Sequence, residues 1–530
     1  MPTALHSRTG AALALAATAV AVAGCGSSAS HHRGAPAARH SRLWLVRTSG
    51  AQPSVVQENR QPGTRSWRLP GPAAQIGGVA HGTVQGYPAR ETVAPGQLQR
   101  IYVSSPGARW VRVSLFRMGW YGGTGGREVL RSRRLPARHQ PPCLHRSVTG
   151  LTECHWRPAL SFRIPTALPS GVYTAKLMAP TGASDCLFVV TASRPAPLLA
   201  QLSTATYEAY NAWGGDSLYP GGSDRVGVTG TTQGVAVSLQ RPYDSITGAG
   251  QFFARDVAMV RFLERYGYPV SYTTSEGVDA DPAQLSGHRA LLDFGHSEYW
   301  SQRQADGFAS ARNHGTSLLF LSSDTLAWRV RFGPSSAVAG HPAEPDATIV
   351  AYKEHAGLDP DRTAPSGSFG STAAALTGSQ YLGCITARLP QPGPPTYRLY
   401  PWTPAPGLRP GWLFAGSGLT SGSQIPGIVG YELDAASPSA PVGTLEVGHG
   451  SATCMSPGAV EPGEPTPPPG PGQATSTLYR ARSGALVFGS GTLSWELGLE
   501  PVPSASPQAP RAPERPVVAI TRNLLARALR

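Results

Sequence analysis

The sequence predicts a multidomain α+β protein, an N-terminal β-sandwich followed by an α/β domain built on a mainly parallel sheet. Three observations predict it. Short apolar and polar runs punctuated by Pro and Gly alternate through residues 85–191. The texture changes after Arg194-Pro195-Ala196-Pro197, which has the composition of a domain linker. From Arg255 onward a helical period, an extended run, a second helix and a second apolar strand follow with short connections. That is the rhythm of parallel strands joined by helical crossovers.

The sandwich rests on the runs Gln99 to Val103, Val111 to Phe116, Leu160 to Ile164, Val172 to Leu177 and Leu187 to Val190. Their spacing describes an immunoglobulin-like sandwich of roughly 100 residues, placed at 76–193. Within it, Gly119-Trp120-Tyr121-Gly122-Gly123-Thr124-Gly125-Gly126 has the glycine density of a phosphate-cradling loop. No helix follows to complete such a site, so it reads as a glycine-rich hairpin.

The α/β domain is expected over 198–500. Val257, Val260, Phe262 and Leu263 sit on a helical period that Gly267-Tyr268-Pro269 ends, before the extended Val270-Ser271-Tyr272-Thr273. Arg289 to Phe294 reads as a buried strand, Ser301 to Asn313 as a helix and Thr316 to Leu321 as the next strand. Ligands of such sheets collect at the carboxyl ends of the strands. Further on, Ala347 to Tyr352, Gly430 to Leu433 and Ala485 to Phe488 suggest more strands, and Ser456 to Ser476 reads as a Pro- and Gly-rich surface loop. Residues 501–530 form a Pro-rich segment and a C-terminal helix, apolar at helical spacing from Val517 to Leu529.

The N-terminus carries an export signal. His6 and Arg8 precede an uninterrupted small and apolar run from Ala11 to Gly24, too short to span a bilayer. It ends in Val22-Ala23-Gly24-Cys25, which resembles the bacterial lipobox. Residues 1–24 are then the signal, and Cys25 is the acylated N-terminus of the mature protein. An ordinary cleaved signal with an incidental cysteine is the competing reading. Residues 25–75 follow as tether and linker, beginning with a Ser-, Ala-, His- and Arg-rich stretch that has little to bury. The predicted location is the extracytoplasmic face of the bacterial cell membrane.

A formal charge of +14 raises nucleic acid as a partner, but the basic residues are scattered singly and form no basic strip, which excludes that class. Lys176 and Lys353 are the only lysines. Five cysteines remain beyond Cys25, namely Cys143, Cys154, Cys186, Cys384 and Cys454. In an oxidising compartment Cys143 with Cys154 is the first candidate disulfide, and the spacings do not make a thiolate zinc site.

The chemistry is concentrated in two motifs. Gly295-His296-Ser297-Glu298-Tyr299-Trp300-Ser301 lies between a buried strand and a helix, where a histidine and a carboxylate two positions apart serve as metal ligand or base with its partner. A tight turn with Ser301 capping the helix is the plain structural alternative. The same residues half-resemble a Gly-x-Ser-x-Gly nucleophile elbow with Ser297 as nucleophile, against which Tyr299 replaces the second glycine. Upstream, Thr206 to Tyr219 is dense in aromatics and glycines without a clear period. Such loops pack, stack on sugars or offer phenol oxygens to a metal.

Ala209-Tyr210-Asn211-Ala212-Trp213-Gly214-Gly215, Ser217-Leu218-Tyr219 and His296-Ser297-Glu298-Tyr299-Trp300 together resemble the C-terminal catalytic domain of the N,N-dimethylformamidase large (beta) subunit family. The sandwich with its Gly119 to Gly123 hairpin is similar to the module that precedes that domain. The resemblance covers most of Val84 to Leu499, and it implies a sheet like that of the class I glutamine amidotransferase-like fold. A cysteine-dependent amidotransferase itself is excluded, because no cysteine lies near the Gly295 to Ser301 turn.

The family holds a mononuclear iron by two tyrosines and one glutamate. Carried over, the ligands are Tyr210, Tyr219 and Glu298, with His296 beside them and Tyr207 as the alternative to Tyr210. Two phenolates and a carboxylate are hard oxygen donors that suit ferric iron. Relatives place an asparagine near the metal where this chain has Asp324 in Ser322-Ser323-Asp324-Thr325, which adds negative charge. The Tyr352-Lys353-Glu354 motif is retained, and His296, Lys353 and Asp324 are the expected catalytic residues.

The resemblance therefore implies an exported, lipid-anchored hydrolase that cleaves the C–N bond of a small amide, with iron as cofactor and the membrane as a partner through its anchor. Homo-oligomerisation stays open. The rivals are a non-catalytic cell-envelope module that binds glycan or protein, and a serine hydrolase using Ser297.

Overall fold

A computed structural model describes residues 43–71, 76–221, 227–338, 343–389, 397–455, 468–502 and 506–530. The expected signal, Cys25 and residues 26–42 and 72–75 of the expected tether and linker lie outside the described residues. Among those described, no helix is long and apolar enough to cross a membrane.

Two sheets share the first core. One has eight strands, with Gly126–Arg131, Trp110–Met118, Gly171–Ala179 and Gly182–Val190 side by side and antiparallel. The other is the antiparallel set Pro158–Arg163, Leu98–Ser104 and Gln85–Pro88. Val113, Leu115, Tyr173 and Phe188 of the first sheet meet Ile101, Val103 and Phe162 of the second. The glycine-rich segment is a hairpin turn, with Tyr121–Gly123 as a single 3-10 turn between two strands. Cys143 and Cys154 are disulfide-bonded.

The outer face of the eight-stranded sheet is itself buried. Phe116, Met118, Val172, Leu187 and Val189 pack against the helix Val257–Arg265 through Val257, Val260, Phe262 and Leu263. That helix ends as its sequence directs, at Tyr266 followed by Gly267 with φ +68°.

The second body is a nine-stranded sheet in the order Val270–Thr274, Leu198–Leu202, Ala290–His296, Ser317–Ser323, Leu486–Gly489, Gly470–Arg480, Leu445–Cys454, Tyr400–Pro404 and Ile425–Val429. The first four pairings are parallel and the last four antiparallel. The expectation of a mainly parallel sheet is therefore corrected to a mixed one. Parallel neighbours need a crossover, which the helices Val257–Arg265 and Gln302–Asn313 provide in the first half. In the second half Gly470–Arg480 and Leu486–Gly489 are joined by the short turn Ala481 to Ala485, closed by the Ala481 N–H to Ala485 carbonyl bond of 2.9 Å. The expected loop from Ser456 to Ser476 is likewise shorter. Gly470 to Ser476 lies in a strand paired with Leu445–Cys454, and 456–467 lie outside the described residues.

Strand order reverses beside Leu198–Leu202, because Val270–Thr274 adds on one side of it and Ala290–His296 on the other. The crevice beyond the carboxyl ends of those two strands is where an open α/β sheet admits ligands. Two small sheets close over it. One joins Ala236–Ser238, Thr348–Val350, Trp328–Gly333 and Tyr299–Ser301. The other pairs Ser379–Ile385 with Glu432–Ala436, and a disulfide from Cys384 to Cys454 ties it to the large sheet. Cys186 is buried and unpaired.

Candidate metal centre

Tyr210 and His296 reach the crevice from the ends of a helix and a strand, and Tyr219 from the loop between. The strand Leu198–Leu202 runs into the short helix Thr204–Ala209, with Tyr210 as its C-cap. The Thr206 hydroxyl of this helix accepts the backbone N–H groups of Glu298 and Tyr299, at 3.1 and 3.2 Å, and so locks the helix to the turn after Ala290–His296. The Leu218 N–H donates to the Ala209 carbonyl at 3.0 Å, which folds the aromatic loop back and delivers Tyr219 beside Tyr210. At Gly295, φ is +75° and a Cβ would collide with the Asp256 carboxylate, so only glycine lets the chain turn there.

Three of the sequence-predicted residues converge. The Tyr219 hydroxyl lies 2.8 Å from that of Tyr210 and donates to Glu298 Oε1 at 2.6 Å. The two rings sit 4.4 Å apart. Tyr207 points elsewhere, its hydroxyl donating to Asp256. Burial, with Glu298 next, pushes the pKa of both Tyr210 and Tyr219 well up, so without a cation each phenol keeps its proton.

The three expected catalytic residues surround this pair. Lys353 is 4 % exposed and places Nζ 3.5 Å from the centre of the Tyr219 ring, donating to the Leu218 carbonyl at 3.2 Å. Its pKa falls because of burial, against the pull of Glu354 and Glu298. Asp324 adopts φ +55° at the end of Ser317–Ser323, where its N–H donates to Asp434 at 2.7 Å. Burial and then Glu298 and Glu432 drive its pKa well up.

His296 is fully buried, with Nε2 2.9 Å from Glu432 Oε2, 3.3 Å from Glu298 Oε2 and 3.8 Å from Asp324 Oδ2. Burial works against its charge, but Tyr431 and Glu432 outweigh it and hold the pKa well above the ordinary imidazole range. Glu298 moves the other way. Although burial opposes it, His296 brings its pKa below the ordinary value, as partners in one ion pair should.

Ser297 is turned from this cluster. Its hydroxyl donates to Asp293 Oδ1 at 2.8 Å and receives the Trp300 indole N–H at 2.9 Å, and it bonds no imidazole among the described residues. Ser301 caps the helix Gln302–Asn313 in a capping box with Gln304.

Residues 112–509 match the family described as N,N-dimethylformamidase beta subunit-like, C-terminal. The chain belongs to that family. A comparison with curated proteins finds no match. The family match starts inside the sandwich strand Trp110–Met118 and takes in every residue of the cluster around His296.

Within this N,N-dimethylformamidase-like fold, His296, Glu298 and Asp324 form a group whose ligand atoms all lie within 4.8 Å of one another and could hold a metal ion. Sequence reasoning missed Glu432 and Tyr431. Glu432 begins the strand Glu432–Ala436 and is 3 % exposed, while the Tyr431 hydroxyl stands 3.4 Å from His296 Nδ1. The available signal was a carboxylate inside the otherwise apolar Gly430-Tyr431-Glu432-Leu433, since charge is rarely buried without a partner.

Proposed function

We propose that this chain is an exported, lipid-anchored hydrolase that cleaves the C–N bond of a small amide at a single iron held by Tyr210, Tyr219 and Glu298. The observation that carries the reading is the run of oxygens from Tyr210 through Tyr219 to Glu298 Oε1, at 2.8 and 2.6 Å, beside the strand-order reversal. The donors suit the ion, since two half-buried phenols and a buried carboxylate are hard oxygen ligands. When bound, the iron supplies Lewis acidity toward an amide carbonyl.

The remaining work falls to the chain. Lys353, placed on the Tyr219 ring, favours the negative charge that Tyr219 acquires when it gives up its proton. His296 holds a proton at Nε2 among Glu432, Glu298 and Asp324 and passes it to the departing amine nitrogen as a water adds to the carbonyl carbon, with Glu432 taking the proton that the water gives up, so that acid and amine are the products.

The rivals draw less support. In the aromatic loop Trp213 packs edge-on against Trp156, and Tyr210 and Tyr219 lie tilted against each other, so these rings are engaged with one another, which favours a platform for sugar less. Ser297 has Asp293 and Trp300 as partners in place of a base.

Full chain purified without chelator is expected to carry about one iron and a visible phenolate-to-iron charge-transfer colour. Colourless protein that takes up no transition metal after refolding with iron would remove the hydrolase reading and put the binding module first.

A further inference from the structure

His296 Nε2 faces three carboxylates at once, and the geometry aligns it with none of them. Nε2 itself, Glu298 Oε2 and Glu432 Oε2 are buried and make no aligned hydrogen bond among the described residues, although Nε2 lies within ion-pair reach of both carboxylates, while Asp324 turns Oδ2 toward Nε2 and leaves Oδ1 without a hydrogen bond. The four residues are between 0 and 3 % exposed. Polar atoms left without a hydrogen bond at that depth are costly, more so where charged, and a cation between His296, Glu298, Asp324 and Glu432 would give them a common partner.

We propose that His296, Glu298 and Asp324, with Glu432 at the rim, form a second cation site, for a divalent first-row ion such as zinc, that shares Glu298 with the iron site and blocks the His296 proton relay when filled. The two sites take different oxygens of Glu298, since Oε1 receives Tyr219 and Oε2 faces His296. They also differ in donor chemistry. An imidazole nitrogen with carboxylates suits zinc, whereas phenolates suit ferric iron.

Nε2 is free to act as a ligand if Nδ1 keeps the ring proton and donates it toward the Tyr431 hydroxyl oxygen, 3.4 Å away. The ligand atoms lie within 4.8 Å of one another, while neighbouring ligands of a tetrahedral zinc stand about 3.4 Å apart. A closure of about 1.4 Å at the widest pair completes the site. Because zinc and the transferable proton need the same Nε2, an ion there silences the relay.

The second site presupposes the iron reading only in being second, so the test follows both metals. The iron-loaded full chain is dialysed against zinc, and zinc, iron and visible colour are measured for the wild type, Asp324→Asn and Tyr219→Phe. The expected wild-type result is one zinc added with iron and colour kept. Asp324→Asn should weaken zinc at least tenfold while keeping the colour, and Tyr219→Phe should lose the colour while keeping zinc.

The proposal fails if the wild type takes up no zinc, if Asp324→Asn binds zinc as tightly, or if zinc displaces the iron and its colour. Should Asp324→Asn not fold, His296→Gln tests the same loss. If no preparation takes up iron yet zinc binds and depends on Asp324, the iron reading falls and this site stands.

Discussion

Arg117 lies fork to fork on Glu264, Nη1 2.7 Å from Oε2 and Nη2 2.7 Å from Oε1, with neither side chain reaching solvent. One residue belongs to the strand Trp110–Met118 and the other to the helix Val257–Arg265, so the pair joins the sandwich to the larger sheet. Tyr272 and Asn59 also donate to Glu264, at 3.2 and 2.7 Å.

Removing one partner strands a buried charge. Glu264→Gln is expected to destabilise the protein by about 3–5 kcal/mol, and Arg117→Met combined with Glu264→Leu to recover much of that loss. Chemical unfolding midpoints check it. A Glu264→Gln protein within about 1 kcal/mol of wild type would show that the pair contributes little.

Periodicity made the elements legible where one residue type governs one turn. Val257 to Leu263 announced a helix and Gly267 its end, and the apolar run from Leu291 could only be a buried strand. Strand pairing was less legible. The turn at Ala481 to Ala485 is too short for a crossover, but its partner strand Gly470–Arg480 begins inside the Pro- and Gly-rich stretch that read as a loop, so the hairpin went unseen. At the site, Tyr219, Glu298 and His296 stood in recognisable motifs. Tyr207 and Tyr210 could not be separated from sequence, because the choice is made by where the helix Thr204–Ala209 stops. Glu432 was hidden because it reaches His296 through pairing with Ser379–Ile385, a contact between distant parts of the chain.

Glu496 gives a pH dependence with a definite sign. It is fully buried, and burial pushes its pKa up to about 8, with Arg255 pulling it back and Asp256 adding to the rise. In the unfolded chain it titrates near 4.3. A raised folded pKa means that its contribution to stability is complete below about pH 4 and is lost as the pH climbs to about 8. Glu496→Gln stays neutral throughout. Its Tm relative to wild type should therefore rise between pH 5 and pH 8.5. A Tm difference that is flat across that range would place the titration elsewhere.

The proposed lipid anchor is tested at Cys25. With no apolar face in the Gly26 to Arg42 stretch to hold a membrane, Cys25→Ser should move the protein from membrane fractions to the soluble exported fraction. Retention of the variant at the membrane would mean that another surface anchors it.

The iron and serine readings of one motif make opposite predictions. Glu298→Gln keeps the size of the side chain but removes the charge that faces Tyr219 Oη on one oxygen and His296 Nε2 on the other. It should lose iron and the phenolate colour with the fold intact. Ser297→Ala removes a hydroxyl that bonds only Asp293 and Trp300 among the described residues. Iron should stay, and amide hydrolysis should remain within about tenfold of wild type, a barrier change of roughly 1.4 kcal/mol. Loss of a covalent nucleophile would instead cost several orders of magnitude. A folded Ser297→Ala protein that is dead while Glu298→Gln is active would overturn the metal assignment. The order of the two variants decides the matter whichever amide is used as substrate.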